Sequence, residues 1–417
     1  MENQTPQRAL MVALARKSSE VPSCEKSLDE LERLLETAGA EAVARVLQVK
    51  SDPDPATLIG SGKLAEISDF CKVNDISLVV FDTELSPSQI RNLENGLENA
   101  LVIDRSILIL DIFALHAKTG EGKLQVELAQ LKYTAPRLTG YGKELSRQGG
   151  TVGTRGPGES KLEQDRRHIH RRITALERAL EEMEKNRATV RAARDKTGMK
   201  KVAIVGYTNA GKSTLLNLLT DAGVLSEDKL FATLDPTTRK LLLPSGETIL
   251  LTDTVGLIRK LPHHLVEAFR STLDEARYAD ALVIVADISD EECQEHLTVT
   301  YDTLRALGAE GKPTLLVYNK CDAVFDSPFY PMEKDAVSIS AKMGVGIDAF
   351  LEKLSKLLQD GKKDVYLYIP YDKAKELDGV YRNATVKNVS YEEDFIRVLA
   401  NMDQKGQGMY RAYIRED

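Results

Sequence analysis

Short apolar runs alternate with amphipathic stretches through the first hundred residues. Four runs, at positions 9–15, 42–49, 78–81 and 100–103, have the length of buried strands. Two of the intervening stretches carry a capping-box signal, Ser27 with Glu30 and Ser86 with Gln89, which marks a helix start. Strands that alternate with helices predict a small parallel α/β unit over residues 1–104.

The next ninety residues contain two amphipathic stretches with heptad-like spacing. Apolar or small side chains recur from Ile107 to Leu131, interrupted by Gly120 and Gly122, and again between positions 162 and 190. Neither stripe can be buried by itself. We therefore expect two helices of about 30 residues each, packed antiparallel as a hairpin over residues 105–196, with arms of about 45 Å.

The connection between these two stretches, residues 137–160, is rich in glycine. It holds 7 of the 27 glycines of the chain together with Lys143, Arg147 and Arg155. A connection of this length without periodicity is typical of a functional or a disordered segment. Glycines allow close backbone approach and spaced cations suit phosphate, which predicts an RNA-contacting tip; a flexible solvated linker is the alternative.

A second α/β pattern occupies residues 199–360, and strand-like runs at 365–369, 384–389 and 395–399 follow it. A chain of 417 residues has room for several domains. The predicted fold class is α/β: an α/β N-terminal domain with a long antiparallel helical hairpin, a central nucleotide-binding domain at 199–360, and a small α+β C-terminal domain at 364–417.

The central domain opens with a phosphate-binding loop. An apolar strand at 201–205 runs directly into Gly-Tyr-Thr-Asn-Ala-Gly-Lys-Ser and then into a helical run. Backbone amides of such a loop wrap phosphates, the lysine reaches the outer phosphates, and the serine hydroxyl ligates Mg²⁺. The predicted contacts are Gly206, Tyr207, Thr208, Asn209, Ala210, Gly211, Lys212 and Ser213.

A switch box follows the phosphate loop along the chain. Asp253, Thr254, Val255 and Gly256 end an apolar strand, so the aspartate suits the second shell of Mg²⁺ and the glycine amide can meet a γ-phosphate. Loss of that phosphate would release the segment that follows. Lys212 and Gly256 are therefore predicted catalytic residues.

Two further boxes predict the base. Asp322, after another strand, can accept two hydrogen bonds from the N1–H and the exocyclic amine of guanine, a donor pair that adenine lacks. A later box supplies a backbone amide for the guanine carbonyl oxygen. The predicted base-binding residues are Asn319, Lys320, Cys321, Asp322, Ser340, Ala341 and Lys342.

The segment 230–239, which we call switch I, lies between the phosphate loop and Asp253. A switch loop needs one hydroxyl to complete the coordination of Mg²⁺. Thr233, Thr237 and Thr238 all lie in this segment, and the residue pattern leaves the choice among them open.

Charge and cysteine content refine the picture. The net charge of −8 argues superficially against nucleic acid, but residues 137–200 contain 16 Lys/Arg against 9 Asp/Glu, a local +7. Four scattered cysteines match neither a zinc spacing nor a redox pair, which predicts a reduced cytoplasm, with peripheral membrane association left open. No apolar run approaches the roughly 18 residues of a membrane span.

These motifs resemble the HflX family of translational GTPases over nearly the whole chain. The resemblance rests on the phosphate loop, on Phe-Ala-Thr-Leu-Asp-Pro-Thr at 231–237, on Asp-Thr-Val-Gly at 253–256 and on the glycine-rich sequence at 149–159. It implies that Thr233 and Ser213 ligate Mg²⁺ and that Thr233 is catalytic. It also implies nucleotide contacts from Phe231, Ala232, Leu234 and Asp235.

The resemblance further implies a function. A family member of this kind hydrolyses GTP to GDP and phosphate, binds the large ribosomal subunit and its RNA near the peptidyl transferase centre, and helps split stalled or idle ribosomes. At one residue, Asn209, the chain also resembles potassium-activated GTPases such as MnmE, which adds K⁺ to Mg²⁺ as a candidate cofactor.

Leu257 stands where many GTPases carry a glutamine that orients the attacking water. Leucine cannot do this, so we expect intrinsic hydrolysis to be slow. A partner, the ribosome, would complete the catalytic site. The GTP form would bind and hydrolysis would release a monomeric factor. Two alternatives remain at this point: an ATP-driven RNA or ribosome remodeller, for which the residues 319–322 would have no use, and a non-catalytic RNA-binding module.

Overall fold

The computed structural model describes residues 6–98, 100–137, 157–195, 198–220, 230–231, 234–260, 270–324, 335–359, 363–402 and 404–414. The chain forms two compact units, Met1–Phe350 and Leu351–Asp417. Within the first unit we distinguish an N-terminal region, residues 6–195, from a nucleotide region, residues 201–350. The finer division into four domains stays a prediction.

The N-terminal region is built on a four-stranded parallel sheet with the order β2-β1-β3-β4. All four strands predicted from the apolar runs are present. The strands are β1 Gln7–Ala15, β2 Ala40–Val49, β3 Leu78–Phe81 and β4 Leu101–Asp104, and the helices between them are α1 Val21–Ala38, α2 Ser61–Val73 and α3 Pro87–Leu97.

One of the two predicted capping boxes is present and the other is wrong. Ser86 caps α3: its hydroxyl accepts from the Gln89 amide at 3.2 Å, and the Gln89 side chain accepts from the Ser86 amide at 2.9 Å. Ser27, by contrast, lies buried in the middle of α1, which begins at Val21 with a proline in its first turn. The buried leucine stripe of α1 extends the helix past the local capping signal.

The first arm of the predicted hairpin is two helices instead of one. The chain breaks between α4, Arg105–His116, and α5, Gly120–Thr134, where Thr119 caps α5 by accepting from the Gly122 amide at 2.9 Å. The second arm, α6, Pro157–Asp195, has 39 residues. It pairs antiparallel with the 15-residue α5 through the ion pairs Lys132–Glu177, Arg172–Glu127 and Arg187–Glu121.

The nucleotide region contains a six-stranded sheet with the order β10-β9-β8-β5-β7-β6, parallel except for β6. Its strands are β5 Lys201–Gly206, β6 Thr237–Leu242, β7 Thr248–Asp253, β8 Ala281–Asp287, β9 Thr314–Asn319 and β10 Val337–Ser338. Its helices are α7 Lys212–Thr220, α8 Arg270–Tyr278, α9 Cys293–Ala306 and α10 Ile347–Gln359, the last of which contains the boundary between the two units. The predicted boxes all follow carboxyl ends of strands, where ligands bind in open α/β sheets.

One apolar cluster joins the two regions. It covers one face of the first sheet under α1, α4 and α5, whereas a separate cluster under α2 and α3 covers the other face. From the nucleotide region the joint cluster takes six buried side chains: Tyr207, Leu230, Phe231, Leu234, Val255 and Ile258. The loops that surround the phosphate site therefore form part of the core of the N-terminal region.

The second unit contains a three-stranded antiparallel sheet with the order β11-β13-β12. The strands are β11 Lys363–Pro370, β12 Thr385–Tyr391 and β13 Phe395–Met402, and the helices are α11 Glu376–Asn383 and α12 Gln404–Met409. This is the small α+β fold that the sequence predicts. None of the helices that the structure describes has the length and apolar character of a membrane span.

Candidate nucleotide site

The phosphate loop connects β5 to α7 and needs glycine at two positions. Gly206 and Gly211 have φ angles of +152° and +92°, which favour glycine. A Cβ atom on Gly206 would lie 2.2 Å from the carbonyl oxygen of Val285, and one on Gly211 would lie 2.1 Å from the side-chain nitrogen of Asn319. The two glycines therefore let the loop pack against β8 and against the base-binding box at once.

Lys212 is buried within this loop. Its Nζ donates to the carbonyl oxygen of Tyr207 at 2.7 Å. Burial lowers the pKa of the ammonium group to about 8, and the nearby Asp253 carboxylate partly opposes this shift. A buried ammonium of this kind gains from a bound anion, because the negative charge of a phosphate favours the charged form.

Ser213 and Asp253 come together at the end of the loop. The Ser213 hydroxyl donates to Asp253 Oδ2 at 2.6 Å, and burial raises the pKa of the aspartate. Asp253 Oδ1 is buried and has no hydrogen-bond partner among the described residues. A hydroxyl and a carboxylate are hard oxygen donors of the type that Mg²⁺ prefers, so these two residues fit the ion.

Leu257, the residue after the switch box, is hydrogen bonded to the phosphate loop. The Thr208 amide donates to the Leu257 carbonyl oxygen at 2.8 Å, and the Leu257 amide donates to the Gly206 carbonyl oxygen at 3.1 Å. A Cβ atom on Gly256 would lie 2.6 Å from Cγ2 of Thr208, so glycine is needed for this approach. The Leu257 side chain is only 3% exposed and offers no hydrogen bond to water.

The base-binding residues form a second cluster. The Asn319 side chain donates to the carbonyl oxygen of Ala210 and accepts from the amide of Ala341, both at 2.9 Å, and so connects the phosphate loop to the 340–342 box. Lys320 pairs with Asp287 at 2.6 Å. Asp322 Oδ1 is buried without a hydrogen-bond partner in the described part of the chain. An unpaired carboxylate oxygen here is suited to the donors of guanine.

Two of the three switch I threonines are described. Thr237 begins β6 and lies opposite Asp253 in the strand register, and the Thr238 hydroxyl is hydrogen bonded to that of Thr252 at 2.9 Å. Ala232 and Thr233 lie outside the described residues, as do the tip residues Lys143, Arg147 and Arg155. The magnesium role of Thr233 stays a prediction.

Sequence reasoning missed a buried polar network between the two regions. Arg105, at the start of α4, is 2% exposed and binds both Glu30 of α1 and Asp82 after β3. From the nucleotide region, the Tyr207 hydroxyl donates to Glu30 and Lys260 donates to Asp82. Within the sequence Tyr207 is only one variable position of the phosphate loop, so no local signal shows this contact.

A cavity of about 870 Å³ lies beside the phosphate loop, with α1 and α9 among its walls. His296 of α9 stacks on the Tyr207 ring, with 3.7 Å between the ring centroids. His296 also lies close to Asp290 and Glu292. Glu292 is already paired with Lys26 and Arg259, so we assign no metal ion to this cluster.

Three family models match consecutive parts of the chain. They are described as the N-terminal part and the middle region of GTP-binding GTPases, at residues 25–114 and 116–194, and as a 50S ribosome-binding GTPase, at residues 201–320. GTPase HflX of Lacrimispora saccharolytica is 49% identical over 397 residues, covering 94% of this chain and 93% of the relative. The chain belongs to the HflX family of GTPases.

A second curated relative and one solved structure complete the comparison. GTPase HflX of Escherichia coli is 43% identical over 377 residues, covering 88% of each chain. A GTP-binding protein from Sulfolobus solfataricus, solved in complex with GDP, is 28% identical with a TM-score of 0.44 and covers 85% of this chain and 99% of its own. Family membership identifies the enzyme as a GTPase, as the sequence predicts, while the nucleotide contacts of the individual residues stay a prediction.

Proposed function

We propose that this GTPase binds the large ribosomal subunit in its GTP form and helps split stalled or idle ribosomes, acting as a monomer in the cytoplasm. The observation that carries the proposal is the joint apolar cluster, in which switch I, the switch box and the phosphate loop pack against the region that bears the basic hairpin. A nucleotide-dependent change at the switches would therefore reach that hairpin. The match to a 50S ribosome-binding GTPase supports the choice of partner.

Charge supports RNA as the surface that is bound. The local excess of +7 between residues 137 and 200 lies in a chain of net charge −8. On α6, Arg166, Arg167, Arg171 and Arg178 are exposed. Exposed cations on one helix are suited to phosphate, which contributes most of the affinity of non-specific nucleic-acid binding.

In the proposed cycle, Ser213 and Thr233 would hold Mg²⁺, and Asp253, which accepts from the Ser213 hydroxyl, would support them from the second shell. Bound Mg²⁺ would neutralise phosphate charge that develops during hydrolysis. Lys212 holds the outer phosphates, and the Gly256 amide meets the γ-phosphate. Because Leu257 is buried and cannot orient water, intrinsic hydrolysis is slow and the ribosome completes the site.

Cosedimentation with separated ribosomal subunits tests the proposal. We expect the protein to pellet with the large subunit in a non-hydrolysable GTP analogue and to stay in the supernatant in GDP. Light scattering of whole ribosomes should then fall on addition of protein and GTP. Equal binding in both nucleotides, or binding to the small subunit alone, would refute it.

The glycine-rich tip gives a matched test of the RNA contact. Replacing Lys143, Arg147 and Arg155 by glutamine should weaken ribosome binding and flatten its logarithmic salt dependence by about 0.7–0.9 per lost phosphate contact. Replacing Gly149 and Gly150 by alanine should weaken binding without changing the salt slope, because it restricts backbone approach. GTP affinity should match the parent in both variants. If the variants split ribosomes at the parent rate, the segment is only a linker.

Asn209 gives a prediction about potassium. A monovalent cation at this side chain would neutralise charge between the β- and γ-phosphates, so hydrolysis should be faster in K⁺ than in Na⁺ at equal ionic strength. Asn209 has a φ of +60°, a conformation that asparagine tolerates, which alone could explain the residue. Asn209→Gly keeps that conformation and removes the side chain. The potassium effect should disappear in this variant; equal rates of the parent in both salts would exclude a potassium site.

A further inference from the structure

Switch I is hydrogen bonded to the N-terminal region through Asp235. Asp235 Oδ2 accepts from the backbone amides of Lys118 at 3.0 Å and Thr119 at 2.9 Å, and Oδ1 accepts from the Thr119 hydroxyl. The same hydroxyl accepts from the Gly122 amide in the first turn of α5. We call these contacts of Asp235 the Asp235 clamp. It joins the nucleotide switch to the helix that pairs with α6.

Asp235 follows Thr233 by two residues, and the residues that precede Thr233 are also held by the N-terminal region. Phe231 packs edge-on against Phe113 of α4, with ring centroids 4.6 Å apart. Leu230 and Leu234 are buried in the same apolar cluster. The residues two positions before and two positions after Thr233 are therefore both fixed to helices of the N-terminal region.

The packing of Phe231 also holds its backbone in an unusual conformation. Its φ is +57°, a conformation that bulky residues rarely adopt. Such a conformation persists only where the surroundings hold it in place. Here the ring is 2% exposed, and the contact with Phe113 provides that support.

Gly122 is the residue that leaves room for the clamp. A Cβ atom on Gly122 would lie 2.6 Å from Asp235 Oδ1, whereas a Cβ atom on Gly120, two residues earlier in the same helical turn, would meet no atom of the described residues within 4 Å. Glycine inside a helix is otherwise less stable than alanine by roughly 1 kcal/mol. The close approach of Asp235 gives this glycine a physical reason that Gly120 lacks.

We propose that Thr119 is a positioning residue for GTP hydrolysis, which acts through Asp235 to hold Thr233 ready for the magnesium and γ-phosphate site. The inference rests on the proposed magnesium role of Thr233. A segment fixed at both ends loses less conformational freedom when its central hydroxyl binds, so GTP affinity rises without any contact from Thr119 to the nucleotide. Movement at the start of α5 then changes the position of Thr233, which couples the hairpin to hydrolysis.

The test compares Gly122→Ala with Gly120→Ala in the full-length chain. Gly122→Ala should weaken binding of a non-hydrolysable GTP analogue and lower turnover, each about tenfold, while GDP affinity stays at the parent value because GDP binding does not use Thr233. Gly120→Ala, with the same gain in helix propensity, should behave like the parent. Parent-like analogue binding by Gly122→Ala, or an equal loss in both variants, would overturn the proposal.

Two substitutions of Thr119 provide a second, independent comparison. Thr119→Ser retains the hydroxyl and should keep analogue affinity, whereas Thr119→Val removes it and should lose affinity for the analogue but not for GDP. Hydrogen exchange of the amides at 230–235 should quicken in Thr119→Val and Gly122→Ala only. Unchanged exchange there would show that the clamp does not hold switch I.

Thr233→Ala separates this inference from the proposed function. If Thr233→Ala loses the preference for the analogue over GDP and Gly122→Ala does not, the clamp is wrong and the role of Thr233 stands. If Thr233→Ala binds both nucleotides like the parent, the magnesium assignment itself is wrong. Cosedimentation of the parent protein with ribosomal subunits tests the proposed function separately, because it uses neither variant.

Discussion

Replacing Asp322 by asparagine should lower GTP affinity about 5- to 150-fold and raise the affinity for xanthosine triphosphate. In the predicted base contact the carboxylate would accept from two donors of guanine, whereas the asparagine amide would present an N–H to one of them. A buried donor left without an acceptor costs about 1–3 kcal/mol. Xanthine carries a carbonyl oxygen in place of the exocyclic amine, so it accepts the new N–H. The buried Oδ1 of Asp322, which has no hydrogen-bond partner among the described residues, is the structural basis of this expectation.

Titration with fluorescent GTP, xanthosine triphosphate and ATP measures this change. Asp348→Asn provides the control, because it makes the same substitution at an exposed position of the first turn of α10. The control should bind all three nucleotides like the parent. Full GTP affinity in Asp322→Asn, with no gain for the xanthine nucleotide, would show that this carboxylate does not read the base. A preference of the parent for ATP would show that the assignment of these residues to guanine is wrong.

The nucleotide boxes could be predicted because each one is a short contiguous segment that follows a strand. Gly206, Lys212 and Ser213 lie within eight residues, and the chemistry of phosphate binding dictates their types and spacing. The strands before the boxes are apolar runs of the length of a buried strand. Because these strands are parallel, their carboxyl ends bring the boxes to one edge of the sheet. The boxes could therefore be predicted, because their residues are contiguous and phosphate chemistry determines the residue types.

The errors have a common physical origin in tertiary packing. Ser27 and Glu30 match a capping box, but both face the joint between the two regions: Ser27 accepts from Lys260, and Glu30 binds Arg105. The break before α5 depends on Thr119, whose hydroxyl serves the helix cap and Asp235 together. Partners that are 75 to 233 residues apart leave no local pattern.

This joint also explains why the phosphate loop carries a tyrosine. Tyr207 is buried against His296 on one side, and its hydroxyl accepts from the Arg259 amide at 2.8 Å while it donates to Glu30. Arg259 and Lys260 lie three and four residues after the switch box. The phosphate loop is therefore bonded to Glu30 and the segment after the switch box to Asp82, and Arg105 joins these two carboxylates.

Those carboxylates depend on Arg105, and we expect Arg105→Ala to destabilise the first unit by about 3–5 kcal/mol. The guanidinium group is 2% exposed and lies between Glu30 and Asp82. Its removal leaves buried negative charge without its main partner, which is the costly way to break a buried ion pair. Lys260 still pairs with Asp82, so Glu30 is the more poorly compensated carboxylate. Glu30→Gln in the same chain should therefore restore part of the loss.

Hydrogen exchange of the amides of β1 and β3 measures the free energy of opening of this sheet without requiring the two units to unfold together. Arg45→Ala is the matched control: Arg45 also binds two carboxylates, Asp29 and Glu32 of α1, but it is 43% exposed. Exposed ion pairs contribute about 0–1 kcal/mol, so this variant should stay within that range of the parent. A loss in Arg105→Ala no larger than in the control, or no recovery with Glu30→Gln, would show that the buried charge is balanced by other groups. A large loss with recovery would show that Arg105 stabilises the N-terminal sheet by balancing the buried charge of Glu30 and Asp82.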